Sequence, residues 1–296
     1  MTLFAGLAAF SITPADASGH VDTAALARLL ERICAAGAES IGLLGSTGGY
    51  AFLSRRERQR AVEAAIECVD GRIPVIVGVG ALRTDEAQAL ARDARKAGAS
   101  GLLLAPMSYT PLTDEEVLQH ISAVAEAGQL PLCIYNNPST TRFTFTDDLI
   151  VRLARLPNIA AVKMPLPAQG DVAGELARMR SRIPEGFSIG YSGDWGAADA
   201  LLAGCDAWYS VVAGLMPAEA VALTRAARAG DVAEARRLDR AFQPLWNLFK
   251  EFGSFRVMYA MADLLGLVGV DPPRPILPLG KTDMARVKDA LTRIAL

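Results

Sequence analysis

The strongest constraint on this chain is a repeated alternation between two kinds of segment. Short apolar runs with β-branched residues are followed by longer stretches whose apolar positions recur at helical spacing. The candidate strands are Leu3–Ile12, Ser40–Leu44, Pro74–Val79, Gly101–Ala105, Leu130–Tyr135, Ile159–Met164, Phe187–Ser192 and Ala207–Val212. Between them, Leu26, Leu29, Leu30 and Ile33 mark one buried helix stripe, and Val62, Ala65, Ile66 and Val69 another. Val117, Ile121 and Val124 repeat the pattern. Asp22, Ser54, Thr84, Thr113 and Thr146 stand where N-caps are expected, and Ala97-Gly98 and Ala127-Gly128 where helices should end.

Eight strands alternating with helices fit a closed (β/α)₈ barrel better than an open doubly wound sheet, whose glycine-rich dinucleotide fingerprint is missing. After Met216 the strand signal stops. Ala218–Ala229, Val232–Phe249, Ser254–Leu265 and Lys281–Ile294 read as helices, so the expected division is a barrel over residues 1–215 and a helical region packed on it over 216–296.

Composition removes several classes of function. With 51% hydrophobic and 21% charged residues, the 296-residue chain can bury a large core. A net charge of -2 provides no positive field for a nucleic-acid backbone. The apolar start is ended by Thr13-Pro14, too early for a membrane span, and it carries no basic residue before Arg28, so it reads as a first strand and the protein as cytoplasmic. Cys34, Cys68, Cys133 and Cys205 lie far apart and read as buried thiols. His20 and His120 have no partner at ligand spacing, so neither a metal site nor a histidine triad is expected.

One residue conflicts with its surroundings. Lys163 sits in the apolar run Ile159-Ala160-Ala161-Val162-Lys163-Met164, whereas Lys96, Lys250, Lys281 and Lys288 lie in polar helical contexts. Burying an unpaired ammonium costs on the order of several kcal/mol, which favours the free amine, a nucleophile toward carbonyl carbon. The other reading is that the strand stops at Val162 and the lysine reaches solvent from the rim. The barrel favours the first, because strand carboxyl ends face the catalytic mouth. Two further strand ends supply polar groups there: Gly45-Ser46-Thr47-Gly48-Gly49, able to hold a carboxylate or to serve only as a turn, and Tyr135-Asn136-Asn137-Pro138.

These segments together resemble the pyruvate-dependent class I lyase family typified by dihydrodipicolinate synthase and N-acetylneuraminate lyase. Gly45-Ser46-Thr47-Gly48 looks like its GTTGE loop, Tyr135-Asn136-Asn137-Pro138 like its YNxP motif, Lys163 like its Schiff-base lysine, and Ser192-Gly193-Asp194 like its SGD segment. Ala9-Phe10-Ser11-Ile12-Thr13-Pro14 looks like its first strand and turn. The resemblance implies a barrel with a C-terminal helical region, a homo-oligomer (tetramer or dimer), no metal and no organic cofactor. Lys163 would form an imine with pyruvate or another 2-oxo acid, Tyr135 would relay protons with Thr47 or Ser46, and the amides of Ser46 and Thr47 would hold the carboxylate. Tyr209 matches a position whose backbone carbonyl lies near the site.

The departures bear on substrate. Thr140 stands where the synthase carries an arginine for its dicarboxylic partner, with Arg142 two residues on. Gly49 replaces the loop glutamate, and Gly214 stands where the synthases commonly have asparagine. Ser108 replaces the tyrosine that donates into the adjacent subunit's site, with Tyr109 beside it. The expectation is a lyase acting on a 2-keto-3-deoxy sugar acid or related hydroxylated 2-oxo acid. Condensation of pyruvate with aspartate semialdehyde is the alternative, and a carboxylate-binding barrel without turnover is a third.

Overall fold

Each apolar run becomes a strand hydrogen-bonded to the next, and the last returns to the first. In the computed structural model, which describes residues 3–294, the strands close into a parallel barrel in sequence order. They are β1 (Gly6–Phe10), β2 (Ser40–Leu43), β3 (Val75–Gly78), β4 (Gly101–Leu104), β5 (Leu132–Tyr135), β6 (Ile159–Met164), β7 (Ser188–Tyr191) and β8 (Ala207–Ser210). Most are shorter than the apolar runs that announced them, because burial continues past the hydrogen-bonded ladder. Ile12 and Val212 are fully buried although both lie beyond their strands. β2 stops where Leu44 turns to φ 55.

Strand periodicity divides the side chains between two cores. Leu7, Ile41, Leu43, Val75, Val77 and Ile134 face outward under the helices. Ala8, Phe10, Ile76, Leu103, Cys133, Tyr135, Ala161, Ala207 and Tyr209 fill the barrel interior. Two glycines make room for the interior rings: a Cβ on Gly42 would lie 2.4 Å from the Phe10 ring, and one on Gly190 2.5 Å from the Tyr209 ring.

Asp22, Ser54, Thr113 and Thr146 each cap a helix through the side chain. Thr84 does not. Arg83 takes the N-cap of the helix Thr84–Ala97, and the Thr84 hydroxyl instead lies 3.0 Å from Nδ1 of the buried His120. Gly98 ends that helix as expected, but Gly128 stays helical and Gln129 adopts the left-handed turn at φ 49. Cys133 and Cys205 are buried, while Cys34 and Cys68, on outer helices, are only partly so.

Burial holds the His120 imidazole below its ordinary value of 6.5. The unfolded chain therefore takes up this proton first, and stability contributed by neutral His120 is lost as pH falls below about 6.5. Urea unfolding at pH 7.5 and 5.5 should show a loss in the acid that His120→Gln reduces. An unchanged difference would refute the assignment.

The helical stretch expected from Ala218 onward begins with the barrel's own last helix. Pro217–Arg228 packs against β1 and against the helices Thr23–Ala36 and Ala197–Leu202, completing the ring. Val232–Phe252, Ser254–Leu264 and Lys281–Thr292 then pack on one another, and the first of them lies against the turn Asp194–Gly196 at the barrel mouth. Among the described residues no helix is long and apolar enough to cross a membrane.

Candidate active site

β6 carries Lys163 to the mouth of the barrel and points it inward. The strand is in register with β5 through Tyr135 and with β7 through Gly190. Lys163 is 3% exposed, which excludes the reading in which it extends into water. Its Nζ lies 4.1 Å from the ring centroids of both Phe10 and Tyr135, and 5.6 Å from that of Tyr209. Among the described residues no carboxylate forms an ion pair with it. Ring faces rather than an ion-pairing carboxylate stand beside the nitrogen, and Asp194 is a buried carboxylate within electrostatic reach of it.

β2 leads into the hydroxyl loop, whose glycines are required by close approach. A Cβ on Gly45 would lie 2.6 Å from the Phe10 ring, and one on Gly48 3.0 Å from the Leu44 backbone. Gly49 follows at φ 63. The turn buries Thr47, leaves Ser46 half-buried, and among the described residues gives neither of their amides an acceptor. Two free N–H groups on one tight turn suit a carboxylate. The Thr13 hydroxyl, 3.2 Å from where a Gly48 Cβ would stand, is likewise buried without a partner.

The phenol of Tyr135 accepts a hydrogen bond from Asn137 Nδ2 at 3.0 Å, and the Asn136 amide donates to the Lys163 carbonyl at 3.0 Å. The turn after β5 thus fixes both tyrosine and lysine. No hydrogen bond joins Tyr135 to Ser46 or Thr47 among the described residues, so the expected relay is not formed here. Tyr50, which the sequence reading missed, is buried beside the same site. Its phenol is pushed up to about 12, first by burial and then by Tyr135. The buried Arg58 guanidinium lies 5.2 Å from the Tyr50 ring centroid and donates to the Gly78 and Gly80 carbonyls at 2.9 Å each. Tyr50 directly follows the hydroxyl loop, and that adjacency was the one available signal.

Asp194 carries more of the site than the sequence motif disclosed. It is 1% exposed and accepts from Val212 N–H at 2.7 Å, Trp208 Nε1 at 3.0 Å and Val211 N–H at 3.1 Å. Burial pushes its carboxyl up, and these donors, led by Val212, pull it back. One side chain on the turn after β7 therefore anchors the turn after β8.

Of the other expected positions, Tyr209 is brought near the lysine, with its ring centroid 5.6 Å from Nζ, and the rest are not. The Tyr209 side chain is wholly buried within the barrel, its phenol 3.4 Å from Cys133 Sγ. Thr140 is exposed and spends its hydroxyl on the Asn137 carbonyl, while Arg142, at φ 57, is exposed as well. Tyr109 is 95% exposed and the Ser108 hydroxyl is turned onto the Thr110 carbonyl. Gly214 has a packing reason, because a Cβ there would lie 2.3 Å from the Phe10 carbonyl oxygen. Among the described residues no group of three or more His, Cys, Asp or Glu side chains is placed to hold a metal ion.

Comparison with known proteins extends over nearly the whole chain. The profile described as the Dihydrodipicolinate synthetase family matches residues 3–294. The chain is 36% identical over 293 residues to 4-hydroxy-tetrahydrodipicolinate synthase from Thioalkalivibrio sulfidiphilus, covering 98% of this chain and 97% of the relative. It is 33% identical to the enzyme of the same name from Alcanivorax borkumensis, covering 96% of each. Among solved structures, dihydrodipicolinate synthase from Agrobacterium tumefaciens superposes with a TM-score of 0.98 at 61% identity, covering 99% of this chain and 98% of that one.

Proposed function

The chain belongs to the Dihydrodipicolinate synthetase family, lyases of the class I aldolase type, and on that premise we propose that it builds a pyruvate enamine on Lys163 and adds it to an aldehyde. The aldehyde to which the names of the relatives point is aspartate semialdehyde. The observation that carries the proposal is a buried, inward-pointing amine flanked by rings and in register with a tyrosine.

In this reading the amides of Ser46 and Thr47 bind the 2-oxo acid's carboxylate and direct its ketone to Nζ. The amine lone pair forms the C–N bond, the carbonyl oxygen leaves as water, and the protonated imine draws electrons from C3. Loss of a C3 proton gives the enamine, which attacks the aldehyde carbon. Tyr135, oriented by Asn137, is the acid–base group nearest these steps, and closure onto substrate would bring Thr47 into its relay. The test is mass analysis after incubation with pyruvate and borohydride, which should fix a reduced adduct on the Lys163 peptide, followed by addition of aspartate semialdehyde. No adduct at saturating pyruvate would end the proposal.

A second reading is favoured by Thr140. With threonine exposed at that position and Arg142 exposed two residues on, neither offers the second substrate a bidentate clamp for its carboxylate, as suits a hydroxylated 2-oxo acid. Thr140→Arg should lower KM for aspartate semialdehyde about tenfold while leaving that for pyruvate in place. If condensation is absent in both proteins and a 2-keto-3-deoxy sugar acid releases pyruvate, the second reading replaces the first. The bare Tyr109 and the exposed Leu82 on neighbouring loops support self-association, which sedimentation would measure.

A further inference from the structure

We infer that Phe10 is a further catalytic residue, whose ring face stabilises the positive nitrogen of the Lys163 imine. The inference rests on the proposed imine chemistry. During that chemistry Nζ gains a double bond to the keto carbon as that carbon's oxygen leaves as water, and the nitrogen keeps one proton and a positive charge until the enamine forms. A carboxylate at the same place would hold the resting ammonium as a salt bridge and could take the proton. A ring offers the negative face of its quadrupole and accepts no proton.

The ring's position is built into neighbouring strands. Phe10 and Tyr135 stand equally far from Nζ, at 4.1 Å to each centroid, so two π faces are presented to the nitrogen. The Phe10 ring occupies the space that Gly42 and Gly45 leave, since a Cβ on either would fall 2.4 Å or 2.6 Å from it. Tyr209 closes another side edge-on, with centroids 6.2 Å apart at 67°. Tyr135 also faces Nζ but carries a phenol with its own chemistry, so Phe10 is the position at which the ring acts alone.

The experiment compares wild type with Phe10→Leu, which keeps most of the volume and removes the quadrupole. The pyruvate concentration giving half-maximal borohydride trapping should rise about tenfold, with the thermal midpoint nearly unchanged. A second measurement needs only the folded wild type. With εCH₂-labelled lysine, one of the resonances should be shifted far upfield by the flanking rings and vanish in Lys163→Met. A wild type that traps pyruvate while Phe10→Leu traps it equally well, or a wild type with no upfield lysine signal, would overturn the role of Phe10. A wild type that traps nothing overturns the imine reading itself.

Discussion

Lys163→Ala will leave a folded barrel unable to retain pyruvate, with turnover reduced by roughly 10⁴-fold or more and no borohydride adduct. Lys163→Arg should be as inactive, because a guanidinium in this setting has no lone pair to give. Lys163→Met separates chemistry from folding. It removes a buried polar nitrogen that has no ion-pair partner among the described residues and replaces it with an apolar chain of similar length. Its thermal midpoint should equal or exceed that of the wild type, since the cost of burying an unpaired polar nitrogen disappears. Turnover within tenfold of wild type in any of the three, measured at saturating pyruvate, would mean that the reacting group is elsewhere.

Asp194→Ala is expected to have the largest effect on stability. Its carboxylate is the acceptor for Trp208 Nε1 and for the amides of Val211 and Val212, all beneath the mouth of the barrel. Truncation leaves these donors buried and unpaired, at a cost of about 3–5 kcal/mol. Asp194→Asn should cost less, because one oxygen remains to accept. Asp194 is also within electrostatic reach of Lys163, so the alanine variant should weaken pyruvate binding under conditions where it stays folded. Urea unfolding read through Trp208 fluorescence measures the first effect. A loss below about 1 kcal/mol would show that water replaces the carboxylate and that the turn does not depend on it.

Much of this could be read before any fold was known. The eight units were legible because a strand buried on both faces must be continuously apolar, and a helix over it must be apolar on one stripe. Lys163 was legible for the opposite reason: an ammonium inside such a run violates the pattern. Thr84 and Gly128 were misread because a cap depends on the last hydrogen bonds of the helix, which shift by one residue without changing composition. Cys34 and Cys68 were misread because an apolar helix stripe has edges, and a residue on the edge is only half covered.

The sequence by itself determined the eight strand–helix units and marked Lys163 as out of place in its strand, since these follow from local periodicity and from one charge that breaks it. Tertiary structure alone decided that Phe10 and Tyr135 flank the amine, that Asp194 ties β7 to β8, and that Thr140 and Tyr109 are exposed. Closing the barrel sets side chains that are far apart in the chain within a few ångströms of one another. Those distances arise from strand register and from the room left by glycines on neighbouring strands, neither of which any single segment encodes.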